Sequence, residues 1–464
     1  LFANPSRKHP TLGLAGGYGI AAALGVVLFW GFTVDDALVT ARVAWRLANG
    51  GGYRFNASGP AVDAVTPLGW VFLLVPFAAR SPMVALEVAR YLGAVAWVAA
   101  ATWVGHLHAR EERRNGLAVL FLAAAPLGAW SSAGMETGFV LALCSFALSD
   151  SAVALLAAGL AAALRPELLP FCTVLGLRHG WIRRYSRWSW FCGLVPLGAC
   201  AVTAAVRLIA FGTAVPLAVI AKPSDLTHGL RYTIGALVLT GPAWALVGGG
   251  WVGLDAKARW FVAAVTLHFA AMVLAGGDWM PLWRLAVPVL PALVWVATAL
   301  TARRRKLWHS AGALVGLLVA AVVAWKVGLP GRKVMRAREE LIERAAPLLR
   351  ETRLVAGLDI GWLGIATPHD VLDLAGITDY RVASLPGGHT TKKIPNSWFD
   401  FRRPDTLVLL SAPGASLARR WWQTPFARGV ENRVARLEYW QNCSARGTVA
   451  LPNTRQFYVI VGCP

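Results

Sequence analysis

Apolar runs recur along the chain, and several are apolar on every side. Ala311 to Val327 and Ala286 to Leu300 leave no polar face for water. A helix on the surface of a soluble domain keeps such a face, so these runs read as membrane spans. The composition agrees: 56% of the 464 residues are hydrophobic and only 15% are charged, against about 25% charged in soluble domains. Mean hydropathy is +0.53.

Spans are predicted near 11–31, 83–106, 116–131, 134–149, 151–164, 167–178, 188–208, 229–253, 259–275, 284–301 and 308–327, about eleven transmembrane helices. The pair 151–164 and 167–178 is short, and one broken or re-entrant element remains an alternative there. The Arg7-Lys8 start before Leu12 to Trp30 reads as an uncleaved first span.

Net charge is +21 and the pI about 10.6, which by itself would fit nucleic acid. The cations, however, cluster in short loops between spans: Arg110 with Arg113 and Arg114, Arg178 with Arg183, Arg184 and Arg187, and Arg303 to Lys306. That is the positive-inside pattern, so no nucleic-acid partner is expected and membrane lipids are. Placing these loops inside makes the N-terminus cytoplasmic and the C-terminus external. The segment 67–79 is too short to cross with ease and reads as an interfacial helix within a long first external loop, 32–82.

On this topology, polar residues gather on the external face. Asp35, Asp36, Arg42, Arg46 and Asp63 lie in the first loop, with Glu136, Arg165-Pro-Glu167, Lys222, Asp278 and Arg284 in later ones. Two adjacent acids just past a first span are costly near hydrocarbon and usually face a cavity; the bland reading is a helix cap. A site on one face also differs from the midplane site of a transporter.

From about 328 the chain turns hydrophilic. Arg336 to Arg353 is helix-forming, and 353–360, 406–410 and 456–461 read as buried strands. The domains expected are therefore 1–327, a transmembrane domain, and 328–464, an extracytoplasmic α/β domain. Cys443 and Cys463 both fall in this tail, and in an exported tail they are a candidate disulfide.

Taken in order, Asp35-Asp-Ala37 with Arg42, Asn49 to Asn56, Ala64 to Trp70, Gly134 to Thr137, Arg165-Pro-Glu167, Pro216 with Lys222, Gly276 to Met280 with Arg284, Val371 to Asp379 and Pro386-Gly-Gly-His389 form a series. The series resembles the GT-C superfamily of lipid-linked glycosyltransferases, and within it the mycobacterial terminal arabinofuranosyltransferases and their bacterial relatives. Where those relatives often carry Glu-Gly, this chain has Asp63-Ala64.

The resemblance implies an α-helical polytopic enzyme of the bacterial plasma membrane. It would transfer a sugar, arabinofuranose being one candidate, from a polyprenyl-phosphate-linked donor to an external glycan or lipid acceptor. A positioned carboxylate takes the acceptor proton, and Asp35 is the first choice. Asp36 then orients it, contacts a substrate, or holds a divalent cation, the one cofactor left open. A retaining reaction would instead use one carboxylate as the nucleophile. Arg42, Lys222 and Arg284 are candidates to stabilise the leaving phosphate, Glu136 and Asp278 to contact sugar hydroxyls, and His389 to reach the donor or acceptor. Two rival functions remain at this point: a carrier or flippase of lipid-linked sugars, and a non-catalytic envelope-assembly factor.

Overall fold

The structure, a computed structural model, describes residues 9–111, 122, 124–183, 186–246, 254–301 and 306–463. The basic start at Arg7-Lys8, the loop cations Arg113, Arg114, Arg184 and Arg303 to Arg305, and most of the first half of the span expected at 116–131 lie outside the described residues.

The chain divides into two compact units. One comprises 1–33, 89–203 and 224–333; the other comprises 34–88, 204–223 and 334–464. The first external loop was expected to go with the transmembrane domain, yet it packs in the second unit with the hydrophilic tail. The reason is a set of hydrogen bonds from the loop to the tail, described below.

The first unit is helical. Long helices run over Pro82–Arg110 and Ala256–Leu274, and shorter apolar ones over His9–Phe29, Thr137–Ala147, Ala152–Leu164, Leu169–Ile182 and Leu290–Thr301. The stretch expected as one span at 188–208 is two helices, Arg187–Gly193 and Val195–Phe211, bent by 45°. By length and composition three described helices can cross a membrane, or four with the bent pair. The shorter apolar helices fall at most of the other expected spans.

Small residues let these helices meet. A Cβ on Gly138 would stand 2.5 Å from the Gly93 carbonyl oxygen, and one on Gly193 would stand 2.7 Å from that of Gly176. Close backbone approach of this kind is how helices associate where lipid removes the hydrophobic driving force. The core formed includes Phe171, Phe261, Met272, Trp295 and Leu300, all fully or nearly fully buried. Outward-facing side chains are apolar as well, Val95 at 68% exposed and Leu274 at 68% among them. Apolar residues on both sides of a helix fit a hydrocarbon surround, and the chain is a membrane protein.

Lys306–Val323, a π turn at Ala324–Gly328, Leu329–Gly331 and Val334–Leu349 follow one another closely, so that 311–349 forms one long helical path. The boundary expected at 327 falls inside this path.

In the second unit a five-stranded sheet is built from β1 (Leu354–Gly357), β2 (Asp370–Asp373), β3 (Thr406–Leu410), β4 (Ser444–Ala450) and β5 (Phe457–Gly462), in the order β2-β1-β3-β5-β4. β1 is parallel to β2 and β3, while β5 is antiparallel to β3 and β4. β1, β3 and β5 match the three predicted strands. β2 holds only two apolar residues, between Asp370 and Asp373, and β4 is mostly exposed, so neither showed as an apolar run. Cys443 and Cys463 flank the β4–β5 pair and are disulfide-bonded, with Cα atoms 4.4 Å apart. Trp421 is buried in this unit's core, its indole N–H donating to the Cys443 carbonyl at 2.9 Å.

Candidate functional site

The two adjacent acids open the helix Asp35–Ala48, where negative charge favours the positive end of the helix dipole. Their surroundings differ. The Asp35 carboxylate receives the backbone N–H of Gly361 (2.7 Å) and of Trp362 (3.0 Å), at the start of the helix Ile360–Ala366. Arg42, two turns further along the first helix and so on the same face, reaches the other end of that short helix. Its guanidinium donates to the carbonyls of Gly364 and Thr367, and also to those of Phe55 (2.9 Å) and His369 (2.8 Å). It lies over the Phe55 ring, 4.7 Å from the centroid. An acid at the orphan N–H groups and a cation at the orphan carbonyls complement both ends of one dipole.

Two glycines make this clamp possible. A side chain on Gly361 would collide with the Asp35 carbonyl and carboxylate, and one on Gly364 would come within 2.8 Å of the Arg42 Nη1 and Phe55.

Asp36 is half-buried, and no hydrogen bond or ion pair of its carboxylate occurs among the described residues. Its backbone carbonyl accepts the Thr40 hydroxyl at 3.0 Å, the ordinary i, i+4 bond of a helical Thr.

Behind Asp35 lies a polar cluster that sequence reasoning missed. Arg428 binds both oxygens of Asp359 at 2.7 Å, and the Tyr458 hydroxyl donates to Asp359 at 2.7 Å. Burial alone would lift the Asp359 carboxyl, but Arg428 and Arg338 hold it below its ordinary value. Burial pushes Asp35 up to about 6, with Arg338 opposing and Asp359 adding to the rise. Arg42 is lowered by burial, and then by Arg46, to about 10, which leaves it charged at neutral pH. One signal for this cluster was available: Asp359 follows a buried parallel strand, where α/β sheets collect functional groups. Nothing in the sequence marked Arg428 or Tyr458.

Glu431 is 1% exposed and accepts from the N–H of Leu410 (2.9 Å) and of Arg428 (3.0 Å). Burial lifts its carboxyl to about 7, with Arg428 only partly offsetting the rise. The folded chain therefore holds a proton there that the unfolded chain releases at about pH 4.5. The contribution of this group to stability is expected to fall by about 3 kcal/mol as pH rises from about 4.5 to 7, and then level. Asp35 contributes to the same slope only up to about pH 6. Between pH 6 and 7, the thermal midpoint of Glu431→Gln should thus fall less steeply than the parent's.

Other candidates in this unit fall elsewhere. Lys222 is half-buried at the end of the helix Leu217–Ala221, and no hydrogen bond or ion pair of its ammonium occurs among the described residues. His389 lies in the Pro386–Thr391 turn, half-buried. The neighbouring Lys392 is buried and donates to the carbonyls of Ala383 (2.6 Å) and Leu385 (3.0 Å). Asp63 is buried in an ion pair with Arg207 at 2.7 Å.

The remaining candidates belong to the first unit and are paired. Arg165 bridges Glu136 (2.7 Å) and Glu167 (2.5 Å), so the Arg-Pro-Glu turn closes on itself. Asp278 and Arg284 are 2.9 Å apart, and Asp278 also accepts the N–H of Trp279 at 2.8 Å. Leu282 (φ 58°) and Trp283 (φ 42°) between them are both left-handed. Such strain persists only where the surroundings impose it; here the Leu282 carbonyl accepts the Trp130 indole N–H at 3.0 Å, and Arg284 sits over the Trp130 ring. No group of three or more His, Cys, Asp or Glu suited to a metal ion occurs among the described residues.

No family model matches the chain, and no curated protein does. Among solved structures, the apo crystal structure of ArnT from Cupriavidus metallidurans is similar over 96% of this chain and 96% of its own, with a TM-score of 0.53 and 14% identity. At that identity the likeness establishes the fold alone, an ArnT-like helical architecture.

Proposed function

We propose that this chain is a membrane glycosyltransferase that moves a sugar, arabinofuranose being the first candidate, from a polyprenyl-phosphate-linked donor to an external glycan or lipid of the bacterial envelope. The observation that carries the reading is the division of labour in the first loop. Asp35 is fixed by two backbone amides, and this presents Asp36, unpaired, on a helix whose position is set by the Asp35 and Arg42 clamp.

Asp36 is then the carboxylate that takes the acceptor proton as the hydroxyl attacks the anomeric carbon, and Asp35 is a positioning residue. This reverses the order favoured from sequence, because both Asp35 oxygens already accept hydrogen bonds. Of the three cations first considered for the leaving phosphate, Arg42 is committed to carbonyls and Arg284 to Asp278. Lys222 is the one whose charge is not so committed, and it is the cation proposed for the phosphate. The whole-chain likeness to ArnT supports the transferase class. The disulfide supports an oxidising, extracytoplasmic setting for the hydrophilic tail.

Purified protein in lipid nanodiscs, given a polyprenyl-phosphoryl pentose and an arabinan oligosaccharide, is expected to release polyprenyl phosphate and extend the acceptor by one sugar. Movement of the lipid-linked sugar across the bilayer without extension would refute the transferase reading.

A further inference from the structure

The second unit contains a cavity of about 620 Å³ that the proposed chemistry does not use. Its volume is that of an ordinary small-ligand site. One wall is the Asn56–Asp63 loop, another is Phe211–Thr213, and a third carries Tyr380, Arg381, Trp398, Phe401 and Arg402.

The loop wall is pinned. The Asn56 side chain both donates to and accepts from the Val371 backbone at 2.9 Å, pairing the outer edge of β2 as another strand would. Asp370 accepts the N–H of Ala57 at 2.7 Å and the Ser58 hydroxyl. Asp63 is held by Arg207 through one oxygen only. Its other oxygen, Oδ1, is buried without a hydrogen-bond partner, although the residue lines the cavity and is only 2% exposed.

The wall of Tyr380, Trp398 and Phe401 is aromatic and open. Tyr380 is 55% exposed and Phe401 66%. Trp398 lies 6.1 Å from Phe401 at 31°, and its indole N–H is also without a partner. The Arg381 guanidinium stands 5.6 Å from the Phe401 ring and 5.8 Å from that of Trp398.

A buried acceptor left without a donor is destabilising unless a ligand supplies one. Together these walls ask for a ligand with hydroxyl donors, hydroxyl acceptors and an apolar C–H face. A saccharide has all three. A phosphate does not fit as well, because its negative charge would face the Asp63 carboxylate and Asp379. An acyl chain would leave Asp63 and Trp398 unsatisfied.

We propose that this cavity binds a short neutral saccharide. Resting on the transferase reading, that saccharide is a stretch of the acceptor glycan, held away from the reacting hydroxyl so that longer acceptors bind more tightly than short ones.

The test is calorimetric titration of the full chain in detergent, without donor, using an arabinan hexasaccharide, maltohexaose and inorganic phosphate in turn. Saturable binding of a neutral hexasaccharide is expected, with Kd raised at least tenfold by Phe401→Ala and by Trp398→Phe. Both changes lie at exposed or half-exposed positions, and the second keeps the ring while removing the N–H. Binding of neither sugar, unchanged binding in both variants, or binding of phosphate alone would overturn the proposal. Saccharide binding without any transfer would count against the transferase reading and leave the cavity standing; transfer without saturable binding would do the reverse.

Discussion

Asp36→Asn is expected to lower sugar transfer about a thousandfold, at a stability cost of no more than about 1 kcal/mol from the lost charge at the helix N-terminus. General bases contribute about 10²–10⁴ in rate, and Asp36 makes no side-chain bond among the described residues whose loss would unfold anything. Asp35→Asn should behave differently. Asn keeps one acceptor oxygen for the amides of Gly361 and Trp362 but loses the charge, so transfer falls by a smaller factor, together with about 1–2 kcal/mol of stability. Initial rates and thermal midpoints of the two variants separate the roles. A fully active Asp36→Asn beside a stable but dead Asp35→Asn would exchange them.

Arg42→Leu is expected to be the most damaging substitution for stability. Arg42 is 1% exposed and serves four carbonyls: those of Phe55, Gly364, Thr367 and His369. Leu has no donor, and each buried acceptor left unpaired costs about 1–3 kcal/mol. Even at the low end the sum is about 4 kcal/mol, a large share of the total stability of a typical domain. The first loop should separate from the sheet, which limited proteolysis would show as new cleavage between 49 and 67. Arg42→Lys should recover only part of the loss, since an ammonium cannot span the fork of a guanidinium. Unchanged proteolysis in Arg42→Leu would mean that the clamp does not hold the loop.

Much of the architecture was legible before any coordinates. Apolar runs without a polar face marked the helices, and the change of composition near 328 marked the hydrophilic tail. Three of five strands showed as apolar runs because they lie inside the sheet, and two did not because β2 is bounded by Asp370 and Asp373 and β4 is exposed. The pair at 35 and 36 stood out because carboxylates at the edge of a span are rare. The partners of that pair were not legible. Gly361 and Gly364 lie more than 300 residues away, in a helix of seven residues with no distinctive pattern.

The sequence alone determined what depends on local chemistry: which stretches are apolar enough for lipid, which loops carry cations, and which acids stand in unusual company. Tertiary structure decided which of those charges are already spent. Asp35 and Asp36 are chemically identical neighbours, yet one caps a distant helix and the other does not, because successive residues on a helix point about 100° apart and only one direction meets the Gly361 amide. Arg42, Arg284 and Lys222 likewise look alike in sequence. Hydrogen bonds in one case and an ion pair in another divide them into two structural cations and one whose charge no described partner takes up.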